Sequence, residues 1–102
     1  MILLIIRMKV FPEKRKELSQ AMTCLAGSIR TEKGCGRCDF CQNLEDEDDL
    51  LLLEEWDTRE NLQHHMKSEN FKVIRGTANL LKVPFEMRFH SVFHPKGIKK
   101  PA

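Results

Sequence analysis

The chemistry open to this sequence begins at His64 and His65, two adjacent imidazoles. An imidazole ordinarily titrates near pH 6.5, so it can take a proton from a ring hydroxyl at neutral pH. Adjacent helix residues point about 100° apart, so the two histidines cannot face one pocket. The apolar neighbours Leu62 and Met66 favour His65 inward and His64 outward, where His65 is either a hydrogen-bonded core residue or a base. Trp56 is the only tryptophan. It shares a strand face with Leu50 and Leu52, and either fills the core or forms an aromatic wall for a planar substrate.

Cys35, Cys38 and Cys41 are spaced C-x2-C-x2-C, which matches the opening of a bacterial ferredoxin cluster motif. Glu45 stands where the fourth cysteine would be. On a strand, Cys35 and Cys41 point to one side and Cys38 to the other. The three thiols then do not converge, even with Cys24 available from a helix, and neither a metal nor a cluster is expected. The acidic stretch Glu45–Asp49 reads as a solvated hairpin turn, because consecutive turn carboxylates splay.

These residues need elements to position them. Ile2 to Val10 is expected as a strand, continuously apolar at first and so buried on both faces. Pro12 opens a helix whose stripe is Leu18, Ala21, Met22, Leu25 and Ile29, with Gly34 as its stop. Two strands follow, at about Gly36–Leu44 and Leu50–Trp56. Asp57 or Thr58 caps the next helix, with Glu60 placed for a capping box if Asp57 is the cap. Ser68 caps a further segment in which Phe71, Ile74, Ala78 and Leu81 share a face. From Phe85 to His94 the period is two, with Phe85, Met87, Phe89, Ser91 and Phe93 on one face. Glu86, Arg88 and His90 on the other face suit an interface.

The order strand–helix–strand–strand–helix–strand is the split βαβ motif: an α+β, ferredoxin-like βαββαβ fold with an antiparallel sheet and helices on one face. The domain is expected over 1–94, with a tail at 95–102. Helices cover only one side of the sheet, yet the first strand is apolar on both. A second copy of the chain packed on the open face resolves this, so a homodimer is expected. The chain has 102 residues, 41% hydrophobic and 31% charged, which suits one globular domain. Its net charge of +2 gives no reason to expect nucleic acid or a membrane surface as partner. The apolar run Ile2–Ile6 is too short for a signal sequence or a membrane span, and the expected location is the cytoplasm, with reduced thiols.

From Gly34 to Phe71 the residues form a pattern. Glu32-Lys33-Gly34-Cys35 leads into a strand, and a second strand ends Glu54-Glu55-Trp56. Leu62 follows, then His65 nine residues after the tryptophan and Phe71 six after the histidine. In this the chain resembles the antibiotic biosynthesis monooxygenase family, which includes small quinol monooxygenases, over about Ile2 to Phe93. The resemblance implies a dimeric α+β barrel with a pocket between sheet and helices in each subunit. It also implies oxidation of a quinol or phenolic small molecule by O2 without metal, flavin or other cofactor. The family spacing would then turn His65 inward as the catalytic base, and Trp56, Phe71, Leu62 and Cys38 would bind substrate. Cys38 stands near the place where relatives often carry Tyr, and this chain has no Tyr. Relatives on the same scaffold that degrade haem pair Trp and His with an Asn on the first strand, and this first strand has none. The alternative is a non-catalytic or regulatory dimer that binds a small apolar ligand or haem.

Overall fold

A computed structural model of the protein describes residues 1–93. The expected tail at 95–102, and His94 at the end of the expected last strand, lie outside the described residues. The elements run β1 (Ile2–Lys9), α1 (Arg15–Ile29), β2 (Cys35–Asn43), β3 (Asp46–Trp56), α2 (Arg59–Met66), α3 (Glu69–Gly76) and β4 (Glu86–Ser91). Short 3-10 turns occupy Pro12–Lys14 and Ala78–Leu80. The antiparallel sheet has the order β2-β3-β1-β4, which is the ferredoxin-like arrangement.

Register divides the sheet into two faces. Leu4, Ile6 and Met8 pair with Glu54, Leu52 and Leu50, and all six are buried under the helices. From α1 the sheet receives Leu18, Met22, Leu25, Ala26 and Ile29, and from α3 Phe71 and Ile74. The opposite face carries Leu3, Ile5, Leu51 and Leu53, all half-buried. Around them sit Arg37, Asp39, Glu86, Arg88 and His90 on the edge strands.

Four expectations need correction. The acidic stretch is not a turn. The hairpin turns at Leu44-Glu45, and Asp46–Asp49 are already strand, because the acids have cationic partners. Arg15 Nη1 lies 2.7 Å from Asp48 and 3.2 Å from Glu47, and Arg7 Nε lies 3.4 Å from Asp49. Next, α1 ends at Ile29 rather than at Gly34. Gly34, at φ 86°, instead forms the turn into β2. Its carbonyl accepts the Asp57 N–H at 2.9 Å, and a Cβ there would collide with Asp57 and Asn61. Thirdly, the helical face expected to include Ala78 stops at Ile74. The helix ends at Gly76, Ala78 is exposed, and Thr77 is the buried residue of that turn. Lastly, the register of β2 slips between Cys35 and Arg37. Cys35 then pairs with Trp56 and Cys38 with Glu54, so both thiols lie on the helix-covered face and Cys41 alone on the other.

Candidate functional site

The end of β3 delivers Glu54 and Trp56 to the covered face, two residues apart on one side of the strand. Trp56 donates its indole N–H to Glu54 Oε1 at 3.0 Å. Thr58 accepts the Asn61 N–H at 3.1 Å and so caps α2, while Asp57 binds the Asn61 side chain instead of forming a capping box. That start fixes the rotation of α2. The two histidines part as their angular separation requires: His65 is buried and His64 is exposed.

His65 lies in a sandwich of rings and carboxylates. Its ring stacks on Trp56 at 4.5 Å between centroids, and Phe71 meets it edge-on at 5.5 Å. Nδ1 contacts Glu32 Oε2 at 2.9 Å and Oε1 at 3.1 Å. Nε2 approaches Glu54 Oε1 to 2.8 Å, without the alignment of a hydrogen bond. Glu54 Oε2 is buried and has no hydrogen-bond partner among the described residues. Asn70 donates to Glu32 Oε2 at 2.9 Å, tying α3 to the same cluster. Ser68 caps α3 by accepting the Phe71 N–H at 3.2 Å.

Burial acts against the charged form of His65, but the contacts with Glu54 and Glu32 outweigh it and raise its pKa above 6.5. The two carboxylates therefore favour the imidazolium form of the ring over the neutral one. Such a group holds a proton readily and becomes a base only on the alkaline side of its raised pKa. The Cys38 thiol lies against this cluster. Burial and the nearby Glu54 charge push its pKa up to about 12, so it remains a neutral thiol. Cys35 is shifted the same way, chiefly by burial. No group of three or more His, Cys, Asp or Glu side chains among the described residues is placed to hold a metal ion.

Of the residues singled out from the sequence, Trp56, His65 and Phe71 come together as contacting rings, with Cys38 across the strand from Glu54. Leu62 belongs to the same buried core cluster as Trp56, Phe71 and Cys38. It also lines a cavity of about 390 Å3 beside α2, with Ile2, Met66 and Phe89 as apolar wall and Arg59, Gln63, His90 and Ser91 as polar groups. Glu32 and Glu54 entered the sequence pattern with no role assigned, and Asn70 and Arg59 were not singled out at all. Glu54 had a signal, since it sits at an inward position of the alternation Leu50, Leu52, Glu54, Trp56. A carboxylate at such a position needs a buried partner.

Residues 1–76 match the family profile described as antibiotic biosynthesis monooxygenase. A Bacillus subtilis protein described as "Putative monooxygenase YcnE" is 29% identical over 89 residues, covering 85% of this chain and 93% of its own. A conserved protein from Methanosarcina mazei superposes with TM-score 0.83 at 28% identity, over 87% of this chain and 89% of its own. The structure described as a putative antibiotic biosynthesis monooxygenase from Deinococcus radiodurans gives TM-score 0.86 over 98% of this chain and 100% of its own. At 18% identity it speaks for the fold alone. Among the described residues no helix is long and apolar enough to cross a membrane.

Proposed function

Because the chain belongs to the antibiotic biosynthesis monooxygenase family, we propose that it is a cofactor-independent monooxygenase acting on a quinol or phenolic ring with O2. One oxygen atom enters the ring, the other leaves as water, and the quinol supplies the two further electrons. The observation that carries this reading is the stack of Trp56, His65 and Phe71 against Glu32 and Glu54. It joins aromatic surface to a group able to hold and release a proton. The carboxylates at both ring nitrogens raise the His65 pKa, so on this reading turnover rises with pH through that raised value. Trp56, Phe71, Leu62 and Cys38 are the residues proposed to surround the ring. The working unit is proposed as a homodimer joined through the open sheet face, and its location as the cytoplasm.

A second reading is favoured by one observation. His65 and Trp56 are 1% and 0% exposed, and their polar atoms face Glu32 and Glu54. On that reading the cluster is a buried structural ion network in a non-catalytic dimer, and the apolar cavity binds a small ligand. The same contacts occupy both ring nitrogens, which argues against His65 as a ligand to haem iron.

Oxygen uptake by metal-free protein across a panel of quinols and polyphenols separates the two. The enzyme reading expects uptake that falls about 10²- to 10⁴-fold in His65→Ala and little in His64→Ala. Melting curves of both variants confirm that they are folded. No uptake with any quinol, or equal loss in both folded variants, would leave the ligand-binding reading in place.

A further inference from the structure

The cavity beside α2 has a charge that no carboxylate among the described residues answers. Seven arginines lie within residues 1–93. Arg7, Arg15, Arg30, Arg37 and Arg88 each have a carboxylate within 4.0 Å. Arg75 lies 5.0 Å over the Phe71 ring. Arg59 alone among these arginines has neither kind of partner among the described residues, and it lines a cavity of about 390 Å3 together with the polar Gln63, His90 and Ser91. Residues 94–102 contain no Asp or Glu side chain to supply one. A guanidinium presents a planar fork of donors that matches a carboxylate through two parallel hydrogen bonds. Ile2, Leu62, Met66 and Phe89 beside it offer only apolar contact, which suits one or two aromatic rings.

We infer that this cavity binds an aromatic carboxylate, with the ring against Leu62, Met66 and Phe89 and the carboxylate on Arg59. The inference goes beyond the proposed function, because this cavity shares only Leu62 with the residues proposed around the oxidised ring; it rests on reading the chain as a protein that binds a small ring. Arg59 is a specificity residue on this account: it selects among rings and takes no part in the oxidation.

The test is calorimetric titration with naphthalene-2-carboxylate and its uncharged isostere naphthalene-2-carboxamide. The wild type should bind the carboxylate at least 10-fold more tightly. Arg59→Gln should remove that preference, weakening the carboxylate about 10-fold or more while changing the amide less than 2-fold. Arg59→Lys, which keeps the charge but loses the fork, should fall between. Phe89→Ala should weaken both ligands. Arg59 is exposed, so its variants are expected to melt with the wild type. Equal affinity of the wild type for the two ligands, no binding of either, or insensitivity to Arg59→Gln or to Phe89→Ala would each overturn the inference. Oxygen is not part of the readout. Charge-selective binding without turnover of any quinol keeps this inference and sinks the oxygenase reading. Turnover of uncharged quinols with no preference for carboxylates does the reverse.

Discussion

The surroundings of His65 favour its protonated form. Buried between Glu32 and Glu54, the ring has a pKa raised above the 6.5 of an exposed imidazole. A group whose folded pKa is raised contributes stability that is fully present below the unfolded pKa. That contribution is lost as pH rises through the folded value. Urea midpoints measured from pH 6 to pH 9 should therefore fall for the wild type, and the slope should vanish in His65→Gln. The variant should also be less stable by about 3–5 kcal/mol below neutrality, the usual cost of leaving a buried charge unpaired. Parallel profiles for the two proteins would mean that the native ring is neutral, and that the carboxylates are satisfied in another way. Much of this residue-level arrangement was legible. The 100° step between neighbours separates His64 from His65, and the alternation of β3 puts Trp56 inside. Glu32 was not legible. It lies in the turn between α1 and β2, 33 residues from His65, and only the packing of α2 over the sheet brings the two together.

At the scale of elements, the pieces were read by period and punctuation, and the misreadings arose where a distant partner overrode a local rule. Five consecutive acids look like a turn when read alone. Arg7 on β1 and Arg15 on α1 supply the cations that let Asp48 and Asp49 continue a strand, and the turn moves back to Leu44-Glu45. The cysteine spacing failed for a related reason: strict alternation splits Cys35 from Cys38, but the slip next to Gly36 puts both on one face. Gly34 was read as a helix stop, yet its left-handed backbone serves the close crossing of β2 and the start of α2. This makes Gly34→Ala a sharp test. An Ala in that conformation costs about 1–2 kcal/mol from the backbone alone, and its methyl group must also displace Asp57 and Asn61. These residues set the rotation of α2, so the melting temperature should drop by more than about 5 °C. The environment of Trp56 should also change in near-ultraviolet circular dichroism. A variant with unchanged melting and spectrum would show that the crossing is not under steric control.

The whole molecule has one sheet face covered by its own helices and one that is not. Leu3, Ile5, Leu51 and Leu53 form a stripe across the two central strands of that open face, with Ile5 directly opposite Leu53 in register. Their half-burial comes from neighbouring strands, since no helix lies over them. The surrounding charges are already paired within the subunit: Arg88 with Glu86 at 2.6 Å on the edge strand β4, and Arg7 with Asp49 at 3.4 Å between the central strands. An apolar centre with a self-satisfied polar rim is the composition of a stable protein–protein interface. It also suits a two-fold contact, in which each subunit offers the same surface to the other. Sedimentation equilibrium at micromolar concentration should therefore give twice the 11.9 kDa chain mass. Leu53→Lys would set an ammonium at the centre of that contact opposite Ile5, and close to its own symmetry mate. A loss of about 3–4 kcal/mol from desolvating an unpaired charge corresponds to a dissociation constant raised roughly 100- to 1,000-fold, enough to make the variant monomeric at micromolar concentration. Leu44→Lys is the matched control, because Leu44 is fully exposed at the hairpin tip and away from the stripe. It should leave the mass unchanged. A wild type that sediments as a monomer, or a Leu53→Lys variant that stays dimeric, would place the contact on another surface and leave this stripe without a reason for being apolar.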